Sequence, residues 1–328
     1  MNKSALIVMT TYNGGKYLPQ QLDSIISQTH ENWTLIIRDD GSTDETRNIL
    51  SDYEGKDKRI HVFLNDSDNH GAYLNFWTMI HKARNEFFDY DYYFFSDQDD
   101  VWVSDKLELM ISESENEPKD IPFLLYSDMR VIDQDNETIY ESLNDVMGIG
   151  QMSGYSLFFT HGYLWGCDVC VNNKLFNSMP LLPLDHPNLK IMSHDNYMGK
   201  YAMLTGKIRF LNKPLINHRR HGNNTTGGYS MKLSPVKVIK RIFKYGDLAR
   251  THARVYNQTL VALNLIGTVL PDEPLIPVIR NAIRTGGFTG TKIMKSLNVR
   301  RKQKQRTLGI YLVMFFKSYK KYLEVADV

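Results

Sequence analysis

Four short apolar runs, separated by helical stretches, constrain this chain more than any other feature. Ala5 to Met9, Trp33 to Ile37, Ile60 to Phe63 and Tyr92 to Phe95 are continuously apolar. Strands buried on both faces read this way, whereas half-solvated strands alternate. Between the runs, Leu18, Leu22, Ile25 and Ile26 recur at helical spacing, and Phe76, Met79, Ile80 and Ala83 form a second helical face. Ser42 followed by Glu45 predicts a capping box opening the helix between them. This alternation predicts an α/β fold with a parallel sheet covered on both faces. In such sheets ligands bind beyond the carboxyl ends of the strands. Three of those ends, Thr10 to Asn13, Asp39-Asp40 and Asp97 to Asp100, are polar or acidic, so they are expected to converge.

The fourth run ends in Ser96-Asp97-Gln98-Asp99-Asp100-Val101-Trp102, placing three carboxylates within four positions. Adjacent carboxylates repel and raise one another's pKa. A hard divalent cation shared with a substrate's phosphates is the simplest neutraliser. On these residues alone, a solvated acidic turn is the alternative. Neither G-x-G-x-x-G after the first strand nor G-x-x-x-x-G-K-[ST] occurs, which argues against a dinucleotide fingerprint and a P-loop.

The 328 residues suit one large domain with an appendage, or two domains. Beyond Glu113 to Asp120, which reads as a connection, Pro122 to Ser127 and Arg130 to Ile132 are expected as two further strands. The net charge of +2 conceals a strong asymmetry. Through Asp195 there are 32 acidic and 14 basic residues; after it come 5 and 25, so the two parts carry about −18 and +20. An anionic partner for the C-terminal part follows, a membrane surface or a nucleic acid.

From about Leu233 the chain reads as basic and helical, with Val236, Val238, Ile239, Ile242 and Phe243 among Lys237, Lys240, Arg241 and Lys244. Further on, Arg300 to Arg306 and Lys317 to Tyr322 flank the apolar run Leu308 to Phe316. That run is too short to span a bilayer but suits a segment lying in its interface. A solvated helix hairpin is the plain alternative, and no nucleic-acid motif accompanies the basic residues. Cys167 and Cys170 have C-x-x-C spacing without a second pair, and His161 is the one nearby supplement, so small buried side chains are expected rather than zinc. Two cysteines and the lack of a signal-peptide pattern predict a reducing, cytoplasmic setting.

Taken together, Thr11-Tyr12-Asn13, Asp39-Asp40-Gly41-Ser42-Thr43-Asp44, Ser96 to Trp102, His194-Asp195 and Asn217-His218-Arg219-Arg220-His221-Gly222-Asn223-Asn224 resemble, in order and spacing, glycosyltransferase family 2. The bacterial rhamnosyltransferase branch is the nearest in pattern. The resemblance covers about residues 4 to 228 and matches the basic tail only loosely. It implies a GT-A fold: a Rossmann-like, mixed, mainly parallel sheet with a basic helical extension. The boundaries it suggests are a transferase domain at 1–228, with a nucleotide-sugar half at about 1–105 and an acceptor half at about 120–228, then a C-terminal region at 229–328.

Residue by residue, the family's pattern implies that Thr11, Tyr12 and Asn13 line the nucleoside pocket and Asp40 hydrogen-bonds a pyrimidine. Asp97 and Asp99 would serve a divalent metal, Mg²⁺ or Mn²⁺, with Asp99 the direct ligand and Asp97 nearer the ribose and metal-bound waters. Asp100 is a ligand or a cap for a helix at 103–111, and Asp39-Asp40 alternatively makes a helix N-terminal turn. Arg219, Arg220 and His221 suit diphosphate oxygens, His221 alternatively the metal, and a basic surface loop is the other reading. Asp195 is the expected general base, or else a cap for a helix at Asn196 to Leu204. Asn69, Gly71 and Asn75 resemble the loop beside the nucleotide, and Gly166-Cys167 a small-residue segment of the acceptor pocket. Asn196-Tyr197 departs from the aromatic pair common in relatives.

The implied activity is inverting transfer of L-rhamnose from dTDP-L-rhamnose to a hydroxyl of a lipid-linked polysaccharide precursor. It would take place at the inner face of the cell membrane, in cell-wall or capsule synthesis, without nucleic acid. The same machinery with a UDP-hexose is the nearest rival, and a non-catalytic carbohydrate or nucleotide binder is the rival of another class.

Overall fold

The computed structural model describes residues 3–222 and 246–324. The helical segment expected around Leu233 to Lys244, and Asn223-Asn224, lie outside them. The strand–helix alternation appears as read: β1 (Ala5–Thr11), α1 (Leu18–Ile26), β2 (Trp33–Asp39), α2 (Thr46–Lys56), β3 (Ile60–Leu64), α3 (Ala72–Glu86) and β4 (Tyr92–Ser96). β1 lies between β2 and β4, with β3 outside β2, and all four strands are parallel.

After the two-residue β5 (Val101–Trp102) and α4 (Lys106–Ser114), the sheet becomes mixed. One ten-residue strand, β6 (Phe123–Ile132), replaces the two expected, because register irregularities at Ser127, Asp128 and Arg130 bend it without ending it. β7 (Thr138–Tyr140) pairs antiparallel with its end. β8 (Val169–Asn172) runs antiparallel between β4 and β6, and β9 (Lys207–Arg219) runs parallel to β6 and takes β5 on its far side. The resulting order is β3-β2-β1-β4-β8-β6-β9-β5.

Side chains alternate between faces along a strand, and each face here has its own core. Leu6, Val8, Ile36, Tyr93 and Phe95 pack towards α3 and, beyond the short α5 (Leu143–Met147) and α6 (Asn173–Ser178) in the chain, α7 (His194–Thr205). Ala5, Ile7, Met9, Leu35, Tyr92 and Phe94 pack with Leu18, Leu22, Leu50, Leu107 and Met110 of α1, α2 and α4. Trp77, wholly enclosed on α3, donates its indole N–H to the Met192 carbonyl at 2.7 Å and so ties α3 to the approach to α7.

The described C-terminal helices join the first of these cores. The Asp247–Gly267 helix inserts Ala253, Tyr256, Leu260, Leu263 and Ile266, and the Lys304–Phe315 helix inserts Ile310, Val313 and Met314. Much of the apolar Leu308-to-Phe316 run is therefore interior, leaving Leu308, Phe315 and Phe316 exposed.

Candidate active site

The register of the parallel strands assembles the site. Thr11 pairs with Asp39 and Met9 with Ser96, so the loops after β1, β2 and β4 leave the sheet at one level. The first two loops are stitched by backbone donors. Asn13, at φ 47°, donates its N–H to Ser42 Oγ at 2.8 Å, Gly14 N–H reaches Thr46 Oγ1 at 2.9 Å, and Gly15 N–H reaches Asp44 Oδ2 at 3.0 Å. Asn13 Oδ1 in turn accepts from Thr43 N–H at 2.9 Å. The expected capping box does not form. Ser42 turns back to donate to Asp39, and Asp44 instead accepts the Thr46 N–H beside the start of α2.

Asp39 is wholly buried and holds this turn, accepting from Thr11 Oγ1, Gly41 N–H, Ser42 N–H and Arg47 Nε. Thr11, 2% exposed, thus spends its hydroxyl on the fold, while Tyr12 leaves its ring 56% exposed at the mouth. Asp40 accepts from Asn65 Nδ2 and Gly71 N–H, each at 2.8 Å, and from Arg38 Nη1 at 3.3 Å. Arg38 also donates to Asn75 Oδ1 at 2.6 Å, and the Asn69 carbonyl accepts from Asn65, so Asn69, Gly71 and Asn75 belong to the Asp40 network.

Gln98 joins this assembly to the acidic loop. Its Oε1 accepts from Tyr12 N–H at 2.8 Å and its Nε2 donates to the Tyr12 carbonyl at 3.0 Å. A Cβ at Gly14 would lie 2.2 Å from Gln98 Oε1, so the clasp needs glycine there.

The three carboxylates occupy different environments. Asp100 is fully enclosed and accepts from His218 Nδ1 at 2.9 Å and Arg219 N–H at 3.1 Å. It does not cap a helix at 103–111; α4 begins at Lys106. Burial pushes the Asp100 carboxyl up, but the His218 charge and hydrogen bond and the Arg219 amide outweigh it and leave it below the ordinary range. Burial opposes a charge on His218 as well, yet Asp100, with Asp97 and Asp99 behind it, raises that imidazole.

Asp99 meets His221, Oδ2 to Nε2 at 2.7 Å. Burial and the neighbouring Asp100 nevertheless raise Asp99. Asp97 is pushed up to about 8, by burial first and then by Asp100 and Asp99, and no described residue donates a hydrogen bond to its carboxylate. A partly accessible carboxylate in this condition, next to a second one, is chemistry a hard cation fits. Asp97 and Asp99 are residues that could hold one, with His221 on Asp99.

Asp100, Cys167 and His218 also bring their ligand atoms within 4.8 Å of one another, beneath this pair. That cluster is a second set of possible ligands, in distinct surroundings. It is enclosed, the Cys167 thiol is pushed well up by burial and then Asp100, and Lys106 already supplies a cation, donating to the Cys167 carbonyl at 2.7 Å. Cys170 lies in β8 and is, like Cys167, a buried free thiol.

Arg219 departs from a surface loop. It ends β9 with no exposed area and donates to the carbonyls of Asp99 and Asp133, to Asn136 Oδ1 and to Gln20 Oε1, while stacking over Tyr17 at 4.6 Å. Arg220 donates its N–H to the Ile132 carbonyl at 2.8 Å, holding the chain to the end of β6 just before His221.

Asp195 lies across the sheet edge, in the first turn of α7. Ser193 is the N-cap, so Asp195 is not the cap. Its Oδ1 accepts from Asn196 N–H at 2.6 Å, and no described donor reaches Oδ2. Its charge bears on Asp97, Asp168, Tyr73 and Lys200, so it sits between the acidic loop and the far side of α7. His194 stacks between Phe76 and Phe95, at 4.1 and 4.8 Å between ring centroids, and burial lowers it to about 4. Gly166 packs against that ring, since a Cβ there would lie 2.8 Å from His194 Nε2.

Gln98, His218 and Lys200 were not singled out by the sequence as site residues. Gln98 and His218 sit inside the quoted motifs, where a charge-based reading favours their neighbours. Nothing local marks Lys200.

A mixed, mainly parallel sheet whose first, second and fourth strand ends meet an acidic loop is the GT-A architecture. The family model for glycosyl transferase family 2 matches residues 6–169, and the chain belongs to that family. It is 27% identical over 222 residues, 67% of its length, to an uncharacterised glycosyltransferase of Rickettsia typhi, and spans 65% of that protein. It is 26% identical over 224 residues, again 67% of its length, to the dTDP-rhamnosyl transferase RfbG of Shigella flexneri, and spans 73% of it. Among solved structures, S. aureus TarS 1-349 in complex with UDP-GlcNAc aligns with a TM-score of 0.50 at 15% identity, over 98% of this chain and 90% of that one, a likeness of fold.

Proposed function

We propose that this protein transfers a sugar, with inversion, from a nucleoside diphosphate to an acceptor hydroxyl in polysaccharide synthesis. One observation carries the reading: the Asp195 carboxylate, with Oδ2 reached by no described donor, stands within charge range of the cation-seeking Asp97. One side holds a diphosphate leaving group and the other removes a proton. Tyr12 offers an exposed ring for the nucleoside, and the Asp40 network with Asn13 frames it. A divalent cation on Asp97 and Asp99 would supply charge stabilisation for the departing diphosphate. Arg220 and His221 adjoin that position, whereas Arg219 acts by fixing the acidic loop to β9.

The acceptor hydroxyl proton passes to Asp195 Oδ2 as the acceptor oxygen attacks the anomeric carbon. The bond from that carbon to the diphosphate oxygen breaks, and the nucleoside diphosphate leaves from the opposite face. For the donor we favour dTDP-L-rhamnose, on the likeness to RfbG, with a UDP-hexose as the second reading, since the TarS structure of similar fold holds UDP-GlcNAc.

A lipid-linked acceptor is supported by the C-terminal surface. Among the described residues no helix is long and apolar enough to cross a membrane. Phe288, 76% exposed, and the exposed Phe315 and Phe316 lie with Lys292, Lys317, Lys320 and Lys321 also exposed. The Lys317 side chain and the Phe315 carbonyl both approach Gly287, which brings these two segments together. Aromatic side chains among lysines suit an anionic bilayer surface.

A thermal-shift panel of dTDP-rhamnose, UDP-glucose, UDP-GlcNAc and GDP-mannose, with and without Mn²⁺, tests the reading, because a ligand of the native state raises the melting temperature by mass action. Stabilisation by a dTDP- or UDP-sugar that requires the ion is expected. No stabilisation by any of them would refute it.

A further inference from the structure

Three residues from three separate segments meet behind the acidic loop. Asp100 is the last residue of that loop, and His218 lies one residue before the end of β9. Cys167 sits in a short turn of 3₁₀ helix, Gly166–Asp168, that leads into β8. Each offers one possible ligand atom, a carboxylate oxygen, an imidazole nitrogen or a thiol sulfur, and these atoms all lie within 4.8 Å of one another. Asp100 is wholly enclosed, Cys167 is 1% exposed and His218 5%. Sheet register gathers them. Phe94 of β4 pairs with Cys170 of β8, and Val101 of β5 pairs with Asn217 of β9, so the loop between β4 and β5 is held against both.

The hydrogen bonding of this layer is incomplete. Asp100 Oδ1 accepts from His218 Nδ1 at 2.9 Å and from Arg219 N–H at 3.1 Å. Asp100 Oδ2 and His218 Nε2 are equally buried, yet neither has a hydrogen-bond partner among the described residues. Buried polar atoms left in this way call for a water or an ion. The Cys167 thiol lies within hydrogen-bonding reach of the same carboxylate. Lys106 does not fill the gap, because its Nζ donates to the Cys167 carbonyl at 2.7 Å and lies 3.6 Å from the centre of the Trp102 ring.

Sulfur, nitrogen and oxygen ligands together select a borderline ion such as Zn²⁺, whereas Mg²⁺ and Ca²⁺ take oxygen. Charge permits the exchange. Metal ligands bind deprotonated, so a divalent ion entering here displaces the Cys167 thiol proton and the proton held between His218 and Asp100. Both protons pass to solvent as the divalent cation enters, and the net charge of the enclosed layer stays the same.

We propose that Asp100, Cys167 and His218 hold a zinc-type divalent ion, structural in role, that ties the acidic loop to β9 and to the approach to β8. It is separate from the hard cation proposed on Asp97 and Asp99 and does not rest on the glycosyl-transfer reading. Asp100 adjoins Asp99, and His218 stands three residues before His221, so the ion fixes the backbone from which the outer pair is presented.

Co²⁺ titration of the metal-free full chain tests this, since a thiolate ligand gives Co²⁺ a near-ultraviolet charge-transfer band that oxygen and nitrogen ligands do not. The band is expected to saturate at equimolar Co²⁺ and to be lost in Cys167→Ser. It should persist in Cys170→Ser and in Asp99→Ala, which removes a ligand of the outer pair only. X-ray absorption of the Zn²⁺-loaded wild type needs no substitution and should show a sulfur ligand, which keeps the test decisive if Cys167→Ser does not fold. No band in the wild type, an undiminished band in Cys167→Ser, loss of the band in Cys170→Ser or Asp99→Ala, or no sulfur about zinc would each overturn the proposal. Nucleotide-sugar binding without a cobalt band would remove this ion and leave the donor reading in place; a cobalt band without nucleotide-sugar binding would do the reverse.

Discussion

The two sides of the sheet edge treat their histidines in opposite ways. On the donor side, Asp100 with Asp97 and Asp99 raises His218 despite its burial. On the acceptor side, burial lowers His194 to about 4 and His252 to about 3, and the neighbouring cations help hold His161 at about 4. One region is negative and calls for cations; in the other, burial disfavours charged imidazoles around Asp195. A transferase of charged donors has use for this division. The donor side would receive a metal–diphosphate, and the acceptor side would set its base on the same helix as Lys200.

The largest effect that would break this comparison is expected at Asp99. Asp99→Ala should lower turnover by about a thousandfold, matching several kcal/mol of lost charge stabilisation on the leaving group. Added Mn²⁺ or Mg²⁺ should not restore it in a donor-turnover assay, and near-normal rates would remove Asp99 from the metal.

A smaller effect is expected at the clasp. Gln98→Ala deletes two hydrogen bonds to Tyr12, so it should weaken nucleotide-sugar binding by about thirtyfold, as two bonds of about 1 kcal/mol imply. Titration calorimetry reads this directly; an unchanged affinity would mean that the first loop holds its shape unaided.

The histidines sharpen the contrast through pH. His194 and His252 have folded-state values below the ordinary 6.5, so neutral histidine is favoured by folding. Their stabilisation is complete above about 6.5 and is lost as pH falls towards about 4 and then 3. His194→Phe keeps a ring between Phe76 and Phe95 and should flatten the decline in unfolding free energy between about pH 6.5 and 4. A wild-type slope in that variant would show that His194 is not the titrating group.

The smallest change is expected at the periphery. Replacing Phe288 and Phe316 together by Ser should reduce binding to anionic liposomes several-fold without altering soluble-donor turnover. Equal sedimentation with liposomes would dispose of that surface as a membrane contact.

The four parallel strands and their helices were legible because fully buried strands leave continuous apolar runs and their helices leave one apolar face. The convergence of Thr11, Asp40 and Asp97 followed from the same pattern. The sequence misled where local chemistry had more than one outlet. Ser42 has the spacing of a cap, but the buried Asp39 offers its hydroxyl a stronger acceptor, and Asp44 takes the helix end. Arg219 stands in a basic run, yet its place at the end of β9 encloses it among carbonyls. Lys200 stands in an ordinary helical stretch, and only the packing around α7 encloses it. No motif signals that.

The proposed chemistry turns on Asp195, and Asp195→Asn tests it most directly. Nucleotide-sugar binding and sugar transfer should be measured on the same folded variant. Binding within a few-fold of wild type is expected, with transfer reduced by about 10²- to 10⁴-fold, the range for loss of a general base. Transfer at the wild-type rate would contradict it.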